Sequence, residues 1–385
     1  MRLALVVMVL AAPARAGDYA LIVAGGYDAD SNSLVFARGA ARMAGILDGW
    51  QTTVLSGDGA DNADGWDTPP WCPPGDEDSW YYTAWYSGVY AWPFVDGYAL
   101  TSTRSNAPAL GVDGPATFGA FEAACEGLSN LTADDRLVVY MSNHGGLDDT
   151  GGYRYGFWGG IVEGDRIATA LSGIAADTTI ILSACHAGAF ADHIPGVRLL
   201  AQAPADGLGY VLPPIHYADG PRAGEWALGD LGYAEAVMDA LEGLPDLDDD
   251  GMVLWSEIHQ WAYDNDTFGP VVQADPWCIE YPAMYGPDGV WFAAGPGDTD
   301  MDGDVDGSDL AALGMGWSPA GVGLGWSRGD FDGDGDVDGT DLAHVGMHWS
   351  PVSAVPEPAA AWLLLAGLFV KGKGYGGSAK RRSPA

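Results

Sequence analysis

Residues 136–146 read RLVVYMSNHGG, and residues 178–188 read TTIILSACHAG. Each is a short apolar run that ends in a chemically active residue followed by glycine. So short and continuous a run of Leu, Val, Ile and Tyr reads as a strand buried on both faces, as in a parallel sheet. In an open α/β sheet, ligands bind beyond the carboxyl ends of the strands. Two such strands lying side by side put His144 and Cys185 at one edge. The flanking sequence agrees. Residues 19–24 (YALIVA) form a third apolar run, ending at Gly25-Gly26, and residues 52–55 and 197–202 read as two more strands. Helical spacing is expected over 34–47, 118–128, 161–174, 231–241 and 254–263. Strands alternating with helices predict an α/β fold: a mostly parallel sheet flanked by helices.

The two active residues need each other. A free thiol titrates near ~8.5 and is mostly protonated at neutral pH, so a neighbouring base must supply the thiolate. Gly145 and Gly146 let a substrate carbonyl approach the backbone, and their N–H groups suit a developing oxyanion. A helix starting just after Cys185 is expected to aim its N-terminus at the sulfur and favour the thiolate. His186 and His193 are rival bases. His186 adjoins the nucleophile, where the next residue along a turn points away, and His193 belongs to the face of the expected helix. Residues 325–329 (GWSRG) fit the G-x-S-x-G elbow, but no strand precedes them, so Ser327 is set aside.

Together these stretches resemble the legumain and caspase clan of cysteine peptidases, closest to the legumain type. YALIVAGG is similar to the clan's first strand, VVYMSNHGG to its histidine strand and IILSACHAG to its cysteine strand. Asp192-His193-Ile194-Pro195 and VRLLAQAPADG resemble the legumain segment after the nucleophile. The resemblance covers residues 18 to 240. It implies a caspase-like sheet and peptide-bond hydrolysis through an acyl-enzyme on Cys185. His144 is then the acid/base, and Gly145 the oxyanion-hole glycine. Ser183 stands where legumains and metacaspases carry an acidic residue, and residues 28–35 (DADSNSLV) lack the legumain arginine. Specificity for Asn or for basic residues therefore does not transfer.

Charge limits the partners. The 385 residues hold 16 Lys+Arg against 53 Asp+Glu, a net charge of -37. That field repels phosphate backbones and excludes a nucleic-acid partner, while it favours cations such as Ca²⁺. Arg2, an apolar run and Ala14-Arg15-Ala16 make residues 1–16 a signal peptide, hence an exported protein. Export permits disulfides, and one bridge is expected among Cys72, Cys125 and Cys278, with Cys185 left over. Residues 57–113, rich in Asp, Gly and Pro and then in aromatics, form an insertion of a length that is often functional.

Three loops carry EF-hand spacing. Asp246, Asp248, Asp250, Gly251, the Met252 carbonyl and Glu257 stand at positions 1, 3, 5, 6, 7 and 12 of such a loop. The same spacing recurs from Asp298 (Asp300, Asp302, Asp304, Asp309) and from Asp330 (Asp332, Asp334, Asp336, Asp341), a period of 32 residues. A repeat of this kind marks a small α module of stacked units. The pair resembles dockerin repeats, which implies Ca²⁺ binding and a cohesin-like or envelope partner. Residues 355–382, with Val355-Pro-Glu-Pro358, an apolar run and a basic tail, resemble a PEP-CTERM sorting signal, which implies a cell-envelope or extracellular destination. The run is short of a full membrane span, so membrane contact is expected only through this tail.

The expected layout is a signal peptide (1–16), a peptidase domain (17–295), dockerin-like repeats (297–350) and a sorting tail (351–385). The expected function is an exported cysteine endopeptidase acting on a peptide or protein substrate. Two alternatives stay open: a catalytically inactive caspase-fold binding module, and a transpeptidase or ligase using the same acyl-enzyme.

Overall fold

A computed structural model describes residues 17–27, 34–57, 59, 98–99, 111–210, 215–216, 226–227, 231–271, 279–321 and 323–350. The chain divides into two compact units, Met1–Asp248 with Met252–Ala293, and Asp249–Gly251 with Ala294–Ala385. The signal segment, most of the 57–113 insertion, Cys72, Cys278 and the C-terminal tail lie outside the described residues. No described helix is long and apolar enough to cross a membrane.

The first unit is α/β. Its elements begin with β1 (Asp18–Ala24), α1 (Leu34–Ile46), β2 (Gln51–Ser56), β3 (Tyr98–Ala99), α2 (Phe118–Gly127) and β4 (Arg136–Ser142). Next come β5 (Gly145–Leu147), β6 (Tyr153–Phe157), β7 (Gly160–Glu163), α3 (Gly164–Leu171) and β8 (Asp177–Ser183). A 3₁₀ segment (Ala187–His193), β9 (Arg198–Ala201), β10 (Ile215–His216), β11 (Trp226–Ala227) and α4 (Tyr233–Gly243) follow. The unit ends with β12 (Met252–Leu254), α5 (Trp255–Asn265), β13 (Ala283–Tyr285) and β14 (Val290–Ala293).

The central sheet has the order β13-β9-β8-β4-β1-β2, parallel throughout except for β13. Its middle strands are buried on both faces, which is why they read as unbroken apolar runs. Leu21, Val23, Val139, Met141, Ile180 and Leu182 join one apolar cluster with α2, α3 and the 3₁₀ segment. Alternate residues such as Ile22, Tyr140 and Ile181 are buried as well, toward the other face. There α1 packs on β1 and β4, and Arg42 of α1 pairs with Glu235 of α4 at 2.7 Å. The chain leaves β1 for β2 on one side and for β4 on the other. His144 therefore emerges beside the crevice where strand order reverses, the usual place for a ligand.

One expected helix is different in the structure. Residues 161–174 are not one helix: Gly160–Glu163 is a strand, and the helix is Gly164–Leu171. The three-stranded antiparallel sheet β5-β6-β7 supplies the reason, because it claims residues 161–163 as its edge. Strands this short carry little periodicity of their own. Cys125, one of the three cysteines among which a bridge is expected, is a free thiol buried in α2.

In the second unit, α6 (Gly307–Gly316) and α7 (Gly339–His348) each follow one Asp-rich loop. Val305, Leu313, Phe331, Val337 and Val345 form its small core. Residues 326–328, inside the GWSRG stretch, are a 3₁₀ turn with no strand before it. The setting a nucleophile elbow needs is absent there.

Candidate active site

The geometry at the sheet edge follows from register. β4 and β8 are parallel neighbours, and Ser142 is level with Ser183. His144 and Cys185 each stand two residues further on, so both leave the sheet at the same height. The turns they begin are pressed together. A methyl group on Gly145 would lie 2.2 Å from the Cys185 carbonyl oxygen and 3.0 Å from Ala184 Cβ. Only glycine permits that approach. Gly146 has open space around it.

The histidine main chain is locked by Asn143. This buried amide donates to the Gly156 carbonyl at 2.5 Å and accepts from the His144 N–H at 2.6 Å. Gly156 N–H in turn donates to the His144 carbonyl at 3.0 Å. The imidazole is exposed. Tyr27 and Phe36 approach it edge-on, with ring centroids at 5.7 and 5.6 Å. Tyr27 follows β1 and Phe36 belongs to α1, so the ring is steered from the two elements that flank the crevice.

Cys185 is partly buried, and its thiol donates to the Gly209 carbonyl at 3.5 Å. Burial pushes the thiol above its ordinary range, and the charge of Glu280 adds to this. The resting sulfur is therefore protonated at neutral pH. The expected helix after Cys185 is instead a seven-residue 3₁₀ segment. The N–H groups at its start are taken: His186 by Gly207, Gly188 by Ala203 and Ala189 by His186. The anticipated support for a thiolate from a helix N-terminus is not provided by these groups.

The rival histidines have other partners. His186, in a left-handed conformation, bonds through Nδ1 to the Ala205 carbonyl at 3.0 Å. His193 bonds through Nδ1 to Asp165 at 2.6 Å.

A buried polar chain beneath the site was not legible in the sequence. Ser183 Oγ donates to Gln202 Oε1 at 2.6 Å, and Gln202 Nε2 donates to Glu280 Oε1 at 2.6 Å and to the Tyr210 carbonyl at 2.8 Å. The same carboxyl accepts from Tyr210 N–H, and from Tyr233 N–H at 3.2 Å. Burial, and then the neighbouring Asp266, push Glu280 well above the usual carboxyl range. Ser183, two residues before Cys185, spends its hydroxyl on Gln202. The only sequence signal for Glu280 was an acid in an otherwise uncharged stretch.

The acidic loops share one construction. In each, the position-12 carboxylate takes the N–H groups of positions 2 and 9. Glu257 accepts from Leu247 (2.7 Å) and Leu254 (2.8 Å), Asp309 from Thr299 (2.6 Å) and Asp306 (2.7 Å), and Asp341 from Phe331 (2.8 Å) and Asp338 (2.9 Å). Positions 4 and 6 have left-handed backbones: Asp249 and Gly251, Met301 and Gly303, Gly333 and Gly335. Position 8 is a buried valine each time: Val253, Val305 and Val337.

Carboxylate oxygens gather within 4.8 Å in Asp246/Asp248/Asp250, in Asp298/Asp300/Asp302 and Asp304/Asp306/Asp309, and in Asp330/Asp332/Asp334 and Asp336/Asp338/Asp341. Asp298 Oδ1 is buried with no hydrogen-bond partner among the described residues. Burial and then Asp309 and Asp302 raise the proton affinity of Asp298. An oxygen-loving cation answers both features, so the donor set fits Ca²⁺. Asp306 and Asp338, at position 9, also cap the following helices through Ser308 and Thr340 N–H, both at 2.7 Å.

No curated protein matches the sequence. Among solved structures, protein GSU0716 from Geobacter sulfurreducens is similar with a TM-score of 0.37 and 11% identity, over 70% of this chain and 94% of that one. Residues 296–349 match the family model of the dockerin type I domain, a Ca²⁺-binding domain whose region here coincides with the two acidic repeats.

Proposed function

We propose that the first unit is a cysteine endopeptidase of the legumain/caspase type, with Cys185 as nucleophile and His144 as acid/base. The observation that carries this reading is the level register of β4 and β8, with Gly145 seated against the Cys185 carbonyl. Because the resting sulfur is protonated, the proton leaves during attack. Sγ bonds to the substrate carbonyl carbon as His144 takes the thiol proton, and Gly145 N–H is the proposed donor to the oxyanion. The C–N bond then breaks, His144 protonates the leaving amine, and water hydrolyses the thioester. Ser183 has no charge to offer a basic side chain, which speaks against a legumain-like or metacaspase-like specificity taken from this position.

The second unit is proposed to hold Ca²⁺ through Asp298, Asp300, Asp302, Asp304 and Asp309, and through Asp330, Asp332, Asp334, Asp336 and Asp341. Asp246, Asp248, Asp250, the Met252 carbonyl and Glu257 form a third proposed loop. Dockerin type I domains bind cohesins, and each repeat here exposes matching apolar residues: Leu310, Met315 and Trp317, then Leu342, Met347 and Trp349. Exposed apolar side chains repeated in this way suit a protein partner. Export through residues 1–16 and an envelope or extracellular location set by residues 351–385 complete the proposal.

The test is cleavage of an internally quenched peptide library by the full chain and by Cys185→Ala. The native protein is expected to cleave a subset of peptides and the variant none. Equal cleavage by both sinks the assignment. Native protein that binds peptides without cutting them favours a non-catalytic binding module.

A further inference from the structure

Beside His144 lies a cavity of roughly 300 Å³ lined by Tyr27, His144, Leu147, Arg154 and Ile161, with three glycines between them. None of the residues of the Cys185 turn lines it. We infer that this cavity receives a carboxylate carried by the leaving-group side of the substrate, and that Arg154 recognises it. The inference rests on the peptidase reading and deepens it.

The side of the substrate follows from the chemistry. His144 protonates the departing amine, so the fragment that owns this amine lies toward His144 and the β5-β6-β7 sheet beyond it. The cavity is built from that sheet: Leu147 ends β5, Arg154 lies in β6 and Ile161 in β7. Its size is at the lower limit for a small-molecule site, which suits one residue rather than a long ligand. Leu147 and Ile161 are 37% and 59% exposed, apolar lips suited to the stem of a side chain.

The charge follows from Arg154, the one Lys or Arg among the lining residues. Its Nε is buried and has no hydrogen-bond partner among the described residues. Glu163, opposite it across the strand pair, stays 4.0 Å away, and both side chains are about half exposed. Such a pair contributes little, so a substrate carboxylate competes with it readily. Asp148, in the β5–β6 loop, is the other carboxylate that feels the guanidinium. A planar guanidinium on the cavity wall is suited to a carboxylate. In a chain of net charge -37 the preference is local, set against a surface that repels acidic ligands.

The test uses peptides that differ only in the residue after the scissile bond. Glu, Gln and Lys peptides with amidated ends read a side-chain carboxylate. A Gln peptide ending there with a free carboxylate, against its amide, reads a chain terminus. The full chain is expected to favour the carboxylate member of at least one of these pairs by about fivefold in kcat/KM, the order of one charge-assisted contact at a half-exposed site. The pair that responds names the source. Lys is expected to fall below Gln. Arg154→Glu is expected to reverse the Glu-over-Lys order, a ratio taken within one preparation and so independent of the folded fraction. Cleavage without a carboxylate preference, or a preference that survives Arg154→Glu, overturns this inference and leaves the peptidase standing. No cleavage of any peptide, with Cys185 unreactive toward a peptide electrophile, overturns both.

Discussion

Both units bury carboxyl groups, and they do so in opposite ways. In the first, Glu280 is buried and meets Gln202 and the N–H groups of Tyr210 and Tyr233. Burial, and then Asp266, push its carboxyl well above the usual range. Burial raises the Cys185 thiol in the same way. In the second, Asp298, Asp309, Asp330 and Asp341 are buried within Asp-rich loops, and the small core is five residues. One unit lines its sheet with a large apolar interior, whereas the other gathers carboxylates in loops that fit a cation. The first unit's interior is therefore sensitive to protons, and the second is expected to gain stability from a bound cation.

Chelation breaks this comparison most severely. A core this small rarely supplies more than about 3–5 kcal/mol. A cation at a thousandfold excess over its Kd adds about 4 kcal/mol. With EDTA, the second unit is expected to lose its melting transition, while the transition of the first moves by far less. Calorimetry resolves the two. A single melt that chelation does not shift counts against the calcium loops.

A second comparison lies between neighbouring glycines. Gly145→Ala drives a methyl group into the Cys185 carbonyl, and the turns must part. The expected costs are about 1–3 kcal/mol of stability and a fall in kcat of roughly a hundredfold from misplacement. Gly146→Ala meets open space and is expected to change stability by less than about 0.5 kcal/mol. Peptide cleavage and urea melts of the two variants, compared side by side, read the difference. Equal behaviour would mean that the close approach is not needed.

The smallest effect is a pH slope. Glu280 binds its proton more tightly in the folded chain than in the unfolded one. Its contribution is thus fully present below the ordinary carboxyl range. It declines as pH rises from there until the folded carboxyl ionises, by at most about 1.4 kcal/mol per pH unit. Asp266 widens this pH window by raising Glu280 further. Glu280→Gln is expected to flatten the slope in urea midpoints measured from pH 4 to 8. An unchanged slope would place the proton elsewhere.

Much of this was legible in the sequence where a signal is local. Strands Arg136–Ser142 and Asp177–Ser183 are mostly buried on both faces, so their composition alone marked them. The acidic loops were legible because cation ligands need fixed spacing. What escaped depends on distant partners. Gln202 and Glu280 meet only because β9 lies beside β8 and the chain returns near it, and no local pattern encodes that. Strands β5, β6 and β7 are too short to show period, so residues 161–163 read as helix. The 3₁₀ turn after Cys185 replaced an expected helix because its first N–H groups are bound by Ala203 and Gly207.

The central claim is that Cys185 and His144 act as one unit at the sheet edge. Labelling with a peptidyl electrophile, mapped by mass spectrometry, tests it most directly. Cys125 serves as an internal control, a buried thiol pushed up to about 12. Rapid modification of Cys185 alone is expected, with that reaction slowed at least about a hundredfold in His144→Ala, the scale of a lost general base. Labelling of Cys185 and Cys125 at equal rates, or an unaffected rate in His144→Ala, would contradict it.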